Sequence, residues 1–75
     1  MPATEEDYGR QIGKRARLAR IDLDLNQDEI ARKAGVSRNF VSAIERGAQG
    51  LDTWRLRQLA TALGVPVGWL LGLTN

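Results

Sequence analysis

The feature that most constrains this 75-residue chain is a pair of helix signatures with almost nothing between them. Asn26 followed three residues later by Glu29 matches a capping box, and the helix it opens can bury Ile30, Ala31 and Ala34 before stopping at Gly35. Only Val36 separates that glycine from Ser37, a strong N-cap for a further helix that runs through Arg46 and ends at Gly47. Gly35 supplies the left-handed backbone that a side chain resists, so the two helices meet across a tight turn and not a loop. Ala31 leaves no bulk where they cross, Val36 can fill the space beneath the turn, and Val41 and Ile44 face inward. The outer face of the helix after Ser37 is left free.

The remaining segments carry similar punctuation. Thr4 can cap a first helix reaching about Ile21, with Glu5, Glu6 and Asp7 at the positive end of its dipole. Its apolar stripe is Ile12, Ala16, Ala19 and Leu23, with Leu18 and Ile21 off that stripe. Asp52 caps a fourth helix that buries Leu56, Leu59, Ala60 and Leu63 and closes at Gly64. Pro66 suits a first turn, giving a short fifth helix from Pro66 to Leu71. The expectation is an all-α, five-helix single domain over residues 1–75, with an acidic segment at 1–7 and a frayed end at 72–75.

Composition narrows the function. Without cysteine there is no disulfide framework or thiolate metal site, and without histidine the usual general base and commonest metal ligand are missing. An enzyme, a metal site and a bound cofactor are therefore not expected. The chain contains no apolar run of membrane-spanning length and starts acidic and polar, so a cytoplasmic protein is expected. The net charge of +2 conceals an asymmetry: outside Glu5, Glu6 and Asp7 the charge is +5, which suits a polyanionic partner.

With these motifs in view, the sequence resembles the lambda-repressor-like (Xre or Cro/C1-type) helix-turn-helix family. The resemblance rests on Leu25-Asn-Gln-Asp-Glu-Ile-Ala31, Gly35-Val-Ser37, Ile44-Glu-Arg-Gly47 and Leu59-Ala-Thr-Ala-Leu-Gly-Val65, and extends from about Ile12 to Leu71. It implies a five-helix bundle that binds operator DNA as a dimer, as a repressor or an activator. Two positions depart from the family pattern. Asp24 stands where glycine is usual, and the loop Gly47-Ala-Gln-Gly50 leads to Leu51 where proline is frequent. Restriction-modification controllers, phage Cro-like repressors and small antitoxins all fit this pattern.

The resemblance gives the exposed residues their expected roles. Arg38, Asn39 and Ser42 lie on one side of the helix after Ser37 and are the expected base readers in the major groove. Arg matches the two acceptors of guanine, Asn the acceptor-donor edge of adenine, and Ser can bond a base or a phosphate. Gln27, at the start of its helix, is expected to hold a phosphate and to brace a reader such as Asn39. Arg46, Arg55, Lys14 and Arg17 are further phosphate candidates. Arg20 and Glu45 fall at a family ion pair joining the first helix to the third. Phe40 is expected to pack partly, and Trp54 either flanks a phosphate or packs under the loop.

The resemblance places Val65 and Leu70 inward and leaves Trp69 at a usually polar position; an exposed Trp beside Val67, Leu71 and Leu73 suggests a dimer surface, the alternative being that it folds over its own core. Two copies would place their reading helices in successive major grooves about 34 Å apart on a two-fold-related operator. No small-molecule ligand or membrane is expected to take part. The rival is a protein-interaction module, such as an antitoxin, on the same scaffold. The two readings differ in salt response, since phosphate contacts weaken steeply with salt and an apolar protein interface hardly does.

Overall fold

Four side chains start the four longer helices. In the computed structural model, which describes residues 4–48 and 52–73, Thr4 opens α1 (Glu5–Asp22) and Asn26 opens α2 (Gln27–Ala34). Ser37 opens α3 (Arg38–Glu45) and Asp52 opens α4 (Thr53–Leu63). Each cap oxygen accepts a backbone N–H three residues on, at 3.1 Å from Asp7, 2.8 Å from Glu29, 3.0 Å from Phe40 and 3.1 Å from Arg55. Each such bond satisfies a donor that the helix leaves unpaired and contributes about 1 kcal/mol. The boxes at Thr4 and Asn26 are reciprocal, with Asp7 and Glu29 accepting from the cap N–H. A short α5 (Val67–Leu70) follows, with Pro66 as its N-cap and not inside its first turn.

The turn between α2 and α3 has the expected left-handed glycine, with φ of 71° at Gly35. The N–H of Val36 donates to the Ala31 carbonyl at 3.0 Å, closing the end of α2 and setting α3 across it. Asp24 also adopts the left-handed conformation, with φ of 59°, so the tight link from α1 to α2 forms despite its side chain.

Ile12, Ala16 and Ala19 of α1, Ile30, Ala31 and Ala34 of α2, and Val41 and Ile44 of α3 meet in one core. Leu56, Leu59, Ala60, Ala62 and Leu63 of α4 and Leu70 of α5 complete it, and Ile30 and Leu70 have no accessible surface. Val36 and Phe40 pack against its edge. Leu23, expected on the buried stripe, is instead 41% exposed. It is the C-cap of α1, where the chain leaves the helix, and Leu25 beyond the turn packs on the core in its place. The end expected to fray at residue 72 remains tied there: Gly72 donates to the Trp69 carbonyl and Leu73 to that of Gly68. Thr74 and Asn75, the first three residues of the acidic segment, and Gln49, Gly50 and Leu51 of the loop lie outside the described residues.

How closely α1 meets α3 depends on two glycines that helical propensity alone counts as defects. Gly9, Gly13 and Ala16 recur at i, i+4 and i+7 and share a face. A Cβ at Gly13 would lie 2.5 Å from the Ile44 carbonyl oxygen and 2.8 Å from that of Glu45, and one at Gly9 would lie 2.6 Å from that of Gly47. The end of α3 thus rests on bare backbone of α1. Gly to Ala in a helix interior ordinarily stabilises by about 1 kcal/mol. Here the clash with rigid backbone reverses the sign: Gly13→Ala is expected to destabilise by about 1–3 kcal/mol in urea denaturation, an overpacking cost.

Candidate functional site

The site is assembled around one carboxylate. Glu45, the last residue of α3, accepts from Arg20 of α1 through both oxygens, Nε to Oε2 at 2.7 Å and Nη2 to Oε1 at 3.0 Å. The pair is mostly out of water, the side chains being 13% and 7% exposed. Arg20 also donates from Nη1 to the Leu25 carbonyl at 2.8 Å, so one guanidinium ties α1, the link to α2, and α3. The Glu45 hydrogen bonds raise the Arg20 pKa above its ordinary value, against a smaller opposing effect of burial. A raised folded-state pKa contributes stability that is complete below the unfolded value, so the contribution from Arg20 is already complete at neutral pH.

Gln27, the first residue of α2, joins this cluster. Its Nε2 donates to Glu45 Oε1 at 3.3 Å, a partner other than the Asn39 it is expected to brace. The reason is one of position: Glu45 is already fixed against α2 by Arg20, while Asn39 stands exposed in the first turn of α3.

Along α3 the inward face is fixed by Val41 and Ile44, 1% and 2% exposed. The other side presents Arg38 and Asn39 to solvent, with Ser42 half-buried beside them. Arg38 has a charged neighbour that sequence spacing does not reveal: its Nε lies 3.6 Å from Asp28 Oδ1, across the turn on α2. A separation of ten residues carries no helical periodicity, and only the crossing of the two helices joins them.

The other cations divide into paired and free. Arg55 is tied to Asp52 at 3.1 Å, whereas Lys14, Arg17 and Arg46 are exposed without an ion-pair partner among the described residues. Trp54 is 68% exposed at the start of α4 and borders a shallow recess with Arg57, Gln58 and Thr61. Trp69, expected to be exposed, is half-buried against the core, and the Arg15 guanidinium lies 5.1 Å above its ring. A residue of the short α5 has α1 above it, so a position that looks outward along one turn is covered from the side. Val67 and Leu71 are likewise half-buried, and of this group Leu73 is the open one at 75% exposure.

No helix among the described residues is long and apolar enough to cross a membrane. Capped α2, the glycine turn and an outward-facing α3 define a helix-turn-helix class of protein. A helix-turn-helix family model matches residues 17–70, and the chain belongs to the lambda-repressor-like helix-turn-helix family. The chain is similar to a hypothetical transcription factor of Neisseria meningitidis serogroup B, 34% identical over 67 residues that cover 89% of this chain and 63% of the relative. It is also similar to the transcriptional repressor of the cryptic phage CTXphi of Vibrio cholerae, 37% identical over 59 residues that cover 79% of this chain and 53% of the repressor. The chain thus spans between half and two thirds of these two relatives' length. The crystal structure of a hypothetical transcription factor from Neisseria superposes with a TM-score of 0.81 at 34% identity, over 95% of this chain and 85% of that one.

The Arg20 to Glu45 pair can be tested separately from any ligand. Arg20→Leu alone leaves a largely buried carboxylate with only Gln27 as a partner, and a loss of about 3 kcal/mol is expected in denaturant titration. Adding Glu45→Leu is expected to restore most of that loss, because the unpaired charge is gone.

Proposed function

We propose that this chain is a DNA-binding transcriptional regulator that lays α3 in the major groove and reads base edges with Arg38, Asn39 and Ser42. The observation that carries the reading is the division of α3: Val41, Ile44 and Glu45 are bound into the molecule, while Arg38 and Asn39 stand exposed. A helix held rigidly by one side and polar on the other suits a groove whose walls are phosphates and whose floor is base edges. The names of the related proteins, a transcription factor and a phage repressor, support the same role.

Gln27 then holds a phosphate at the start of α2. Its primary amide has two N–H donors, of which Glu45 engages one, so the second is free for a phosphate oxygen beside the helix N-terminus. Lys14, Arg17 and Arg46 add charge at the flanks, and Arg55 joins them when a phosphate draws it from Asp52. The chain acts as a homodimer on a two-fold-related operator, with Leu73 and the edges of Val67, Trp69 and Leu71 forming the contact. The exposure of the apolar Leu73 side chain supports that choice.

Selection from a pool of randomised duplexes tests the reading. The wild type is expected to enrich one sequence with two related halves, and Arg38→Ala and Asn39→Ala each to lose preference at a different base pair, by about 5- to 100-fold. Enrichment of no sequence, or both variants keeping the wild-type preference, contradicts it. In sedimentation, Leu73→Glu is expected to shift the protein toward monomer and to weaken operator binding.

A further inference from the structure

The first turn of α2 carries two acids, Asp28 and Glu29, at the end of a helix proposed to approach phosphate. Glu29 has a structural purpose, since its Oε1 accepts the Asn26 N–H and closes the capping box. Asp28 has no such bond among the described residues; its charged neighbour is Arg38. An acid in that place suits the helix dipole but opposes an approaching phosphate, and the one charged side chain paired with it among the described residues is Arg38.

We infer that Asp28 is a specificity-determining residue, which holds Arg38 for a base edge and denies it to phosphate. The inference rests on the base-reading role proposed above for Arg38. The closest approach runs from Arg38 Nε to Asp28 Oδ1 at 3.6 Å, an ion pair too long for a hydrogen bond. It leaves the Nη1 and Nη2 edge, with four of the five guanidinium donors, to meet the O6 and N7 acceptors of a guanine. Both side chains are well exposed, 64% and 57%, so the pair is weak in the free protein and Arg38 is not locked. Docking changes this. As α3 enters the groove, water leaves both groups and their attraction grows.

The two kinds of DNA acceptor then fare differently. A phosphate is a second anion, which competes with Asp28 for the same cation and is repelled by it. A guanine edge is a neutral acceptor pair, which can share the guanidinium with Asp28 and leave the ion pair in place. Asp28 thus weakens binding to every duplex but weakens it least where Arg38 finds its base. It is a positioning residue that trades affinity for discrimination.

The test measures wild type, Asp28→Asn, Arg38→Ala and the double variant. Each is titrated against the duplex selected by the wild type, the same duplex changed at the Arg38-dependent base pair, and a scrambled duplex, over a series of salt concentrations. Asp28→Asn is expected to tighten binding to scrambled DNA by about 3- to 10-fold and to steepen its salt dependence by about one unit of log-log slope. Its preference for the correct base pair is expected to fall by about the same factor. Added to Arg38→Ala, the substitution is expected to leave preference unchanged, because the side chain it positions is gone. If Asp28→Asn keeps the full preference while Arg38→Ala loses it, the inference is overturned and the base-reading role of Arg38 stands. If Arg38→Ala itself keeps the preference, both are overturned. A lowered melting temperature for Asp28→Asn with an unchanged preference would reduce Asp28 to a helix-dipole partner and also overturn it.

Discussion

The arrangement of this molecule depends on the bidentate contact between Arg20 and Glu45. A helix of eight residues such as α3 is marginal in water, and its position comes from what holds its two ends. The Ser37 cap and the Gly35 turn hold the beginning against α2. At the other end, Glu45 is gripped by Arg20, while the bare backbone of Gly13 lets α1 come close enough for that grip. The same guanidinium bonds the Leu25 carbonyl, so the entry to α2 is set by the contact that sets the exit from α3. Gln27 completes the linkage, and a surface proposed to meet phosphate is therefore rigidly related to one proposed to meet bases.

Such a pair gives little net stability, because desolvating two charges offsets most of their attraction. Its contribution is geometric. Two apolar residues could fill the same space, but they would not fix a direction, whereas a guanidinium fork and a carboxylate meet in one plane. Placing partly buried charge where α1, α2 and α3 converge makes one relative orientation of the helices far better than its neighbours. The apolar core, built from small alanines and aliphatic residues, allows the helices to lie close.

Much of the fold was legible because short helices must declare their ends. The four side-chain caps, the left-handed Gly35 and the inward residues of α2, α3 and α4 are local properties, fixed within a turn or two of chain. Arg20 with Glu45 was visible only through the family resemblance, since 25 residues separate them. What the sequence concealed depends on neighbours from other elements. Gly9 and Gly13 read as weak points of a helix until α3 is laid against them, although their spacing on the Ala16 face was the available signal. Leu23 kept the period of α1 but lay just past its end. Trp69 sits in a helix too short to show a period, and nothing local reveals that Arg15 of α1 covers its ring. Gln27 was correctly placed at the start of α2, yet its partner is the carboxylate of Glu45 and not the amide of Asn39. Asp28 next to Arg38 was hidden for the same reason.

The outer face of α3, held from behind by Arg20, Glu45, Val41 and Ile44, is the surface proposed to meet DNA. The most direct measurement is a backbone amide NMR titration with the duplex selected by the wild type. The largest shifts are expected to saturate together at residues 37 to 42 and at Gln27, while Arg20 and Glu45 amides move little because their contact is already made. Shifts that fail to saturate, or that gather on the outer face of α4 and spare α3, would rule out α3 as the DNA-binding surface.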